Sequence, residues 1–184
     1  MSAPYIVAVG GTLRLESSTA KAMRLVLQAA ERRGARTRLI SGEALQLPMY
    51  QPDQSERVPA ARALVSELAL ADGIVIGSPG YHGSISGLVK NALDYAEDLR
   101  DDPRPYFSGR AVGCIATAGG WQAAVNTLGA LREIVHALRG WPTPLGAAIN
   151  AGEQVFAADG ACLVPRVAET LERIGLEVLS FAGG

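Results

Sequence analysis

Three short stretches of the chain concentrate groups able to hold a flat, phosphorylated ligand. The first is Gly10-Gly11-Thr12-Leu13-Arg14-Leu15-Glu16-Ser17-Ser18-Thr19, with four hydroxyl side chains and one guanidinium. Hydroxyls donate to phosphate oxygens, and the planar fork of Arg14 can hold two such oxygens at once. The second, Pro79-Gly80-Tyr81-His82-Gly83-Ser84-Ile85-Ser86-Gly87, offers backbone N–H groups, the ring of Tyr81, and glycines that let a heterocycle approach the main chain. The third, Thr117-Ala118-Gly119-Gly120, presents a hydroxyl and two adjacent glycines to a ring edge. Each stretch also has a plainer reading. The hydroxyls of the first can simply cap a helix while Arg14 is solvated, His82 can be an exposed polar residue, and Gly119-Gly120 can be a turn. Lys90 and Asn91, just beyond the second stretch, can be surface or helix-packing residues.

The elements that must position these stretches follow from the hydrophobic pattern. Continuous apolar runs at Tyr5–Val9, Gly73–Gly77 and Ala111–Ala116 suit strands buried on both faces, as parallel sheets require. Thr37–Ile40 reads as a weaker edge strand and Leu145–Asn150 as a fifth. Helical periods fill the intervals: Ser18–Arg33, closed by Gly34, then Ala60–Ala71, Gly87–Leu99, Trp121–Arg139 and Val164–Leu179. Ser78–Ser86 reads as a turn-rich loop. Strands alternating with helices imply right-handed βαβ units, and five strands fit an α/β, flavodoxin-like, doubly wound parallel sheet in the order 2-1-3-4-5, helices on both faces. Ligands of such sheets bind beyond the carboxyl ends of the strands, where the order reverses. All three stretches lie there.

Composition narrows the function. The 184 residues read as a single domain, and a net charge of −1 lacks the basic footprint of nucleic-acid binding. No apolar run is long enough to span a bilayer and the first residues lack a basic leader, so a cytoplasmic location without membrane attachment is expected. Cys114 and Cys162 form no C-x-x-C pair, and His82 has no neighbouring His or Cys, so no disulfide or metal site is expected. The first stretch is neither a Walker loop nor a G-x-G-x-x-G fingerprint.

On these motifs the chain resembles the NAD(P)H-dependent FMN reductases, flavodoxin-like flavoproteins that include quinone, chromate and azo-dye reductases. The family's opening pattern, Gly-Ser-x-Arg-x-x-Ser-x-Asn/Ser/Thr, is matched from Gly11 to Thr19. The resemblance implies that Thr12, Arg14, Ser17 and Thr19, with Ser18 helping, contact the FMN phosphate. Its second pattern is matched by Pro79, Tyr81, Ser84, Gly87, Lys90 and Asn91, implying that Pro79, Gly80, Tyr81, His82 and Ser84 meet the isoalloxazine ring. Gly119 and Gly120, with Thr117 at the same strand exit, match the residues beside the ring. Two departures stand out: Thr12 replaces the commoner Ser, and Gly80 replaces an acidic residue common in relatives.

The resemblance further implies hydride transfer from NADPH or NADH to FMN and on to free FMN, a quinone or a similar small-molecule acceptor, with no catalytic acid or base required. FMN is then either a bound cofactor or a substrate, and a flavin-dependent monooxygenase can receive it reduced. A homodimer or homotetramer is implied, with Leu88, Leu93, Tyr95 and the Trp121–Trp141 region as candidate contacts, although these residues can equally face the sheet. Two rivals are a non-enzymatic flavodoxin-like electron carrier and a flavin-free NAD(P) enzyme. The first lacks its usual phosphate loop here and the second its glycine fingerprint.

Overall fold

The computed structural model describes residues 3–14 and 16–183. Met1, Ser2, Gly184 and, within the first stretch, Leu15 lie outside the described residues. Strands β1 (Tyr5–Gly10), β2 (Arg36–Ile40), β3 (Gly73–Tyr81), β4 (Ser84–Ile85), β5 (Ala111–Ala118), β6 (Trp141–Pro142) and β7 (Ala147–Asn150) alternate with helices α1 (Ser18–Glu31), α2 (Pro59–Leu70), α3 (Gly87–Asp94), α4 (Trp121–Ala137) and α5 (Pro165–Ala182). The parallel order is β2-β1-β3-β5-β6, with β7 also on β5 and β4 folded back antiparallel on β3. This is the expected doubly wound sheet, with two additions.

First, the fifth position is shared. β6 pairs with the start of β5 (Ala111↔Trp141) and β7 with its end (Ile115↔Ala147 to Ala118↔Asn150). The break falls where backbone groups turn to side chains. Arg132 Nη2 donates to the carbonyls of Thr143 and Pro144 (3.3 and 2.9 Å), and Leu145 N donates to Glu177 at 3.2 Å. Leu145 therefore belongs to this break and not to a strand. Second, Ser78–Tyr81 is not a loop. Ser78↔Ala116 and Pro79↔Thr117 stay in register with β5, so β3 runs on to Tyr81 before it turns into β4.

Side chains alternate across the strands, so each strand feeds two cores. Ile6, Ala8, Val75 and Ile115 pack under α1 and α5, whereas Val7, Val9, Ile74, Ile76 and Cys114 pack under α2, α3 and α4. Leu93 and Tyr95, candidate subunit contacts by sequence, belong to the second of these cores and are buried. The helix expected over Gly87–Leu99 is α-helical only to Asp94 and tightens to a 3-10 turn at Tyr95–Leu99. Tyr95 turns inward there and donates its hydroxyl to Pro48 O at 3.0 Å.

Arg110, at the amino end of β5, is fully buried and meets no carboxylate within bonding distance among the described residues. Its guanidinium donates instead to Ala71 O (2.8 Å), Ala69 O (2.9 Å), Tyr106 O (2.7 Å) and Arg104 O (3.4 Å). Ala69 and Ala71 close α2, whose terminal carbonyls lack helical partners and carry the negative end of the dipole. Burial pulls the Arg110 pKa down to about 10, which leaves it charged at neutral pH.

Two measurements test this frame. Arg110→Met leaves these carbonyls without the guanidinium, and it is expected to lower the unfolding free energy in urea by about 3 kcal/mol. A loss under about 1 kcal/mol would contradict the role given to Arg110. Burial pushes the Cys114 thiol up to about 12, so its reactive thiolate is negligible from pH 7 to 9. Cys114 should resist alkylation in the native protein and react only in denaturant, which peptide mapping after pulsed labelling reads directly.

Candidate functional site

The first stretch leaves β1 through two glycines with positive φ, Gly10 (+144°) and Gly11 (+99°). Gly10 lies against Gly77 so closely that a Cβ on it would fall 1.8 Å from Gly77 O. Gly11 N donates to the same carbonyl at 2.9 Å, extending the β1–β3 ladder into the loop. Thr12 Oγ1 accepts from Arg14 N (3.0 Å) and so shapes the turn. Ser17 is the N-cap of α1, its Oγ accepting from Ala20 N at 3.2 Å. The plainer reading of Ser17 is therefore correct as far as it goes, but capping one N–H leaves those of Ser18 and Thr19 in the unpaired first turn, beside the positive end of the helix. Arg14 is exposed and forms no ion pair among the described residues.

Thr19 and Thr117, assigned separately by sequence, meet each other. Their hydroxyl oxygens lie 2.6 Å apart and both residues are buried. The bond ties the first turn of α1 to the end of β5, fixing the first stretch against the third. Neither side chain is exposed.

The second stretch is a tight hairpin. His82 and Gly83 (φ +49° and +93°) form a two-residue turn between Gly80–Tyr81 and Ser84–Ile85, the connection that needs positive φ at both central positions. His82 is thus set by the turn and exposed at its tip. Buried Ser78 pins the hairpin base, accepting from Ser86 N (3.0 Å) and donating to Pro79 O (2.8 Å). Gly80 is small because of α4: a Cβ there would lie 2.4 Å from Thr127 Oγ1. That packing gives Gly80 a structural reason to be glycine, whatever its main chain faces. The open glycines are Gly83, Gly87, Gly119 and Gly120, where an added Cβ would meet no heavy atom within 4 Å.

Between the first stretch and the hairpin lies a cavity of about 320 Å³ lined by Thr12, Leu13, Arg14, Tyr81, Ser86 and Leu88. Leu13 and Tyr81 are each about half exposed at its mouth. First-turn N–H groups and a guanidinium without partners among the described residues, together with open glycine backbone, suit a phosphate joined to a flat ring, so the donor set fits FMN.

Other residues lie outside the three stretches, although Lys90 and Asn91 belong to the second pattern. Asn91 is buried and holds the irregular segment before α2, donating to Pro48 O (2.9 Å) and Leu47 O (3.3 Å) and accepting from Tyr50 N (2.8 Å). Arg57 braces the same segment with two 2.8 Å bonds to Asp98 while stacking over Tyr50. Exposed Lys90 pairs with Asp94 one helical turn on, at 2.5 Å. Beyond β7, Glu153 Oε1 accepts from Trp121 Nε1 (3.0 Å) and Asn150 Nδ2 (2.9 Å), which fixes a half-exposed indole immediately after Gly120. An acid three residues from a strand end gives no periodic signal, so this contact was not legible in the sequence.

Comparison with known proteins agrees with this geometry. Residues 4–154 match the family model described as NADPH-dependent FMN reductase. An NADPH azoreductase of Bacillus sp. (strain OY1-2) is 33% identical over 87 residues, 47% of this chain and 46% of that protein. An FMN-dependent NADPH-azoreductase of Staphylococcus aureus (strain USA300) is 34% identical over 121 residues, 62% of this chain and 61% of that one. The chain thus matches only about half to three-fifths of these relatives' lengths. Among solved structures, the flavoenzyme NAD(P)H:(acceptor) oxidoreductase FerB from Paracoccus denitrificans superposes with a TM-score of 0.79 at 21% identity, covering 98% of this chain and 97% of that one. The apo form of an NADH:FMN oxidoreductase (EMOB) does so with 0.71 at 22% identity, covering 95% and 90%. These two likenesses concern the fold; the family match over 4–154, on a sheet whose strand ends gather the three stretches, places this chain in the NADPH-dependent FMN reductase family.

Proposed function

We propose that the chain is an FMN-dependent NAD(P)H oxidoreductase that passes reducing equivalents to a small acceptor: free FMN, a quinone or an azo compound. The observation that carries this reading is the gathering of the three stretches over the carboxyl ends of β1, β3 and β5, with Arg14 exposed and without an ion pair among the described residues. When bound, FMN supplies the two-electron chemistry, and the protein supplies position and electrostatics.

In this reading the first turn of α1 and Arg14 hold the phosphate, with Thr12, Ser17, Ser18 and Thr19 shaping or lining its seat. The hairpin, from Pro79 through Gly80, Tyr81 and His82 to Ser84, borders the ring, and Gly119-Gly120 above Thr117 gives it an open backbone edge. No side chain is asked to move a proton. Tyr81 and Leu13 form the apolar lip where NADPH or NADH and then the acceptor enter, which makes the two half-reactions alternate at one place. The names of the azoreductase relatives support an azo acceptor, and the family name supports FMN as substrate. A quinone as acceptor, or a flavin-dependent monooxygenase receiving reduced FMN, is the finer part of this proposal.

No helix among the described residues is long and apolar enough to cross a membrane, in keeping with a cytoplasmic enzyme. A homodimer or homotetramer would use α4, whose outer face shows Trp121 and Val125, each more than half exposed.

Two experiments test the reading. Mixing the flavin-loaded protein with NADPH or NADH under anaerobic conditions should bleach the flavin absorbance. A bound flavin that stays oxidised with both would mark an electron carrier instead. Arg14→Ala should weaken FMN binding by about 1.5–3 kcal/mol, the worth of a charge-assisted phosphate contact. Unchanged affinity by fluorescence titration would remove Arg14 from the site.

A further inference from the structure

A second cavity, of about 430 Å³, opens on the outer side of β7, and its lining places a sheet edge beside an aromatic wall. In a parallel ladder alternate residues direct their N–H and C=O to opposite neighbours. Ala151 N donates to Ala118 O at 2.7 Å, and Ile149 pairs with Thr117, so Ala147 and Ile149 face β5 while Ala148 and Asn150 face outward. Glu153 N takes the Asn150 carbonyl at 3.2 Å. What remains toward the cavity is the Ala148 carbonyl with the N–H groups of Ala148 and Asn150. One amide unit could pair there, but a whole added strand could not.

The remaining walls match this restriction. Val164 and Val167 line one side, and the Trp121 indole, held by Glu153, lines another. Arg166 stands at the rim, exposed and without an ion pair among the described residues. Glu153 also lines the cavity, its Oε1 taken up by the side chains of Trp121 and Asn150, so the apolar walls, the aromatic face, the donor–acceptor pair and the exposed Arg166 describe a ligand with three properties. It is planar, carries a ring amide, and bears an anionic group. The volume lies within the range of small-ligand pockets.

We propose that this cavity is a second ligand site for a nucleotide whose base carries a ring amide. The amide pairs with the Ala148 carbonyl and the Asn150 N–H, the ring lies against Trp121, and the phosphate meets Arg166. The site is separate from the crevice between the first stretch and the hairpin and needs neither flavin nor hydride transfer.

Isothermal titration with uridine 5′-monophosphate tests it, because that nucleotide has a ring amide and a phosphate and is redox-inert. One molecule per chain should bind, both to flavin-free and to FMN-saturated protein. The 3-methyl derivative, which lacks the ring N–H, should bind at least tenfold more weakly, as should the unmodified nucleotide to Arg166→Ala. In flavin-free protein Arg14→Ala should leave its affinity unchanged. Absence of saturable heat, or equal binding of the methylated nucleotide, would overturn the proposal. So would displacement by FMN or dependence on Arg14, either of which would mean that the nucleotide had entered the flavin crevice. Competition by a blocked extended tripeptide would overturn it in favour of strand addition. None of these readouts depends on reductase activity, so this site and the proposed function stand or fall separately.

Discussion

Helix α1 can begin directly over the ends of β1 and β3 because Gly77 has no side chain. A Cβ there would lie 2.6 Å from Met23 Sδ and 2.9 Å from Thr19 Cγ2. With Gly77 bare, the first turn of the helix settles onto the sheet and Thr19 reaches Thr117 on the far side of β3. The exit of β1, the start of α1 and the exit of β5 then become one rigid rim. Had the helix been lifted by even a methyl group, Thr19 would no longer reach Thr117.

Two arginines show how the same side chain serves opposite ends of such a sheet. At the amino ends of the strands, Arg110 is sealed in and donates to main-chain carbonyls, so its charge is spent on holding α2 and the 104–106 turn together. At the carboxyl ends Arg14 is left without such partners. Burial with complete hydrogen bonding makes a cation structural, whereas exposure beside an anion-favouring helix terminus leaves it for a ligand. The chain has a net charge of only −1, so attraction for an anion is local to such positions.

The sheet, its central strand order and the gathering of the three stretches at its carboxyl end were legible because they rest on periodicities of the main chain. Runs such as Tyr5–Val9 can be buried on both faces in few other ways, and their polar, glycine-rich exits mark the strand ends. The roles of individual residues were less legible, because they depend on contacts between distant segments. Thr19 and Thr117 are 98 positions apart, and nothing local says that they bond. That Gly80 has to be glycine to pass Thr127 of α4 is equally invisible in the local sequence. Ser78–Tyr81 has a turn's composition, but pairing with β5 and β4 overrides local preference. Asn91, noted as a surface or packing residue, is a clamp on a segment more than 40 positions earlier in the chain.

The divided fifth position of the sheet has a bearing on how the protein behaves among its own copies. A long uninterrupted edge strand is a template on which another chain can pair, and near-neutral proteins have little repulsion to prevent it. Here that border consists of a two-residue piece containing Pro142 and a four-residue piece, separated by backbone turned toward Arg132 and Glu177. Neither fragment is long enough to seed a continuous intermolecular ladder. The interruption thus protects against edge-to-edge strand pairing where electrostatic repulsion is weak, leaves association through helical faces open, and does so without covering the edge.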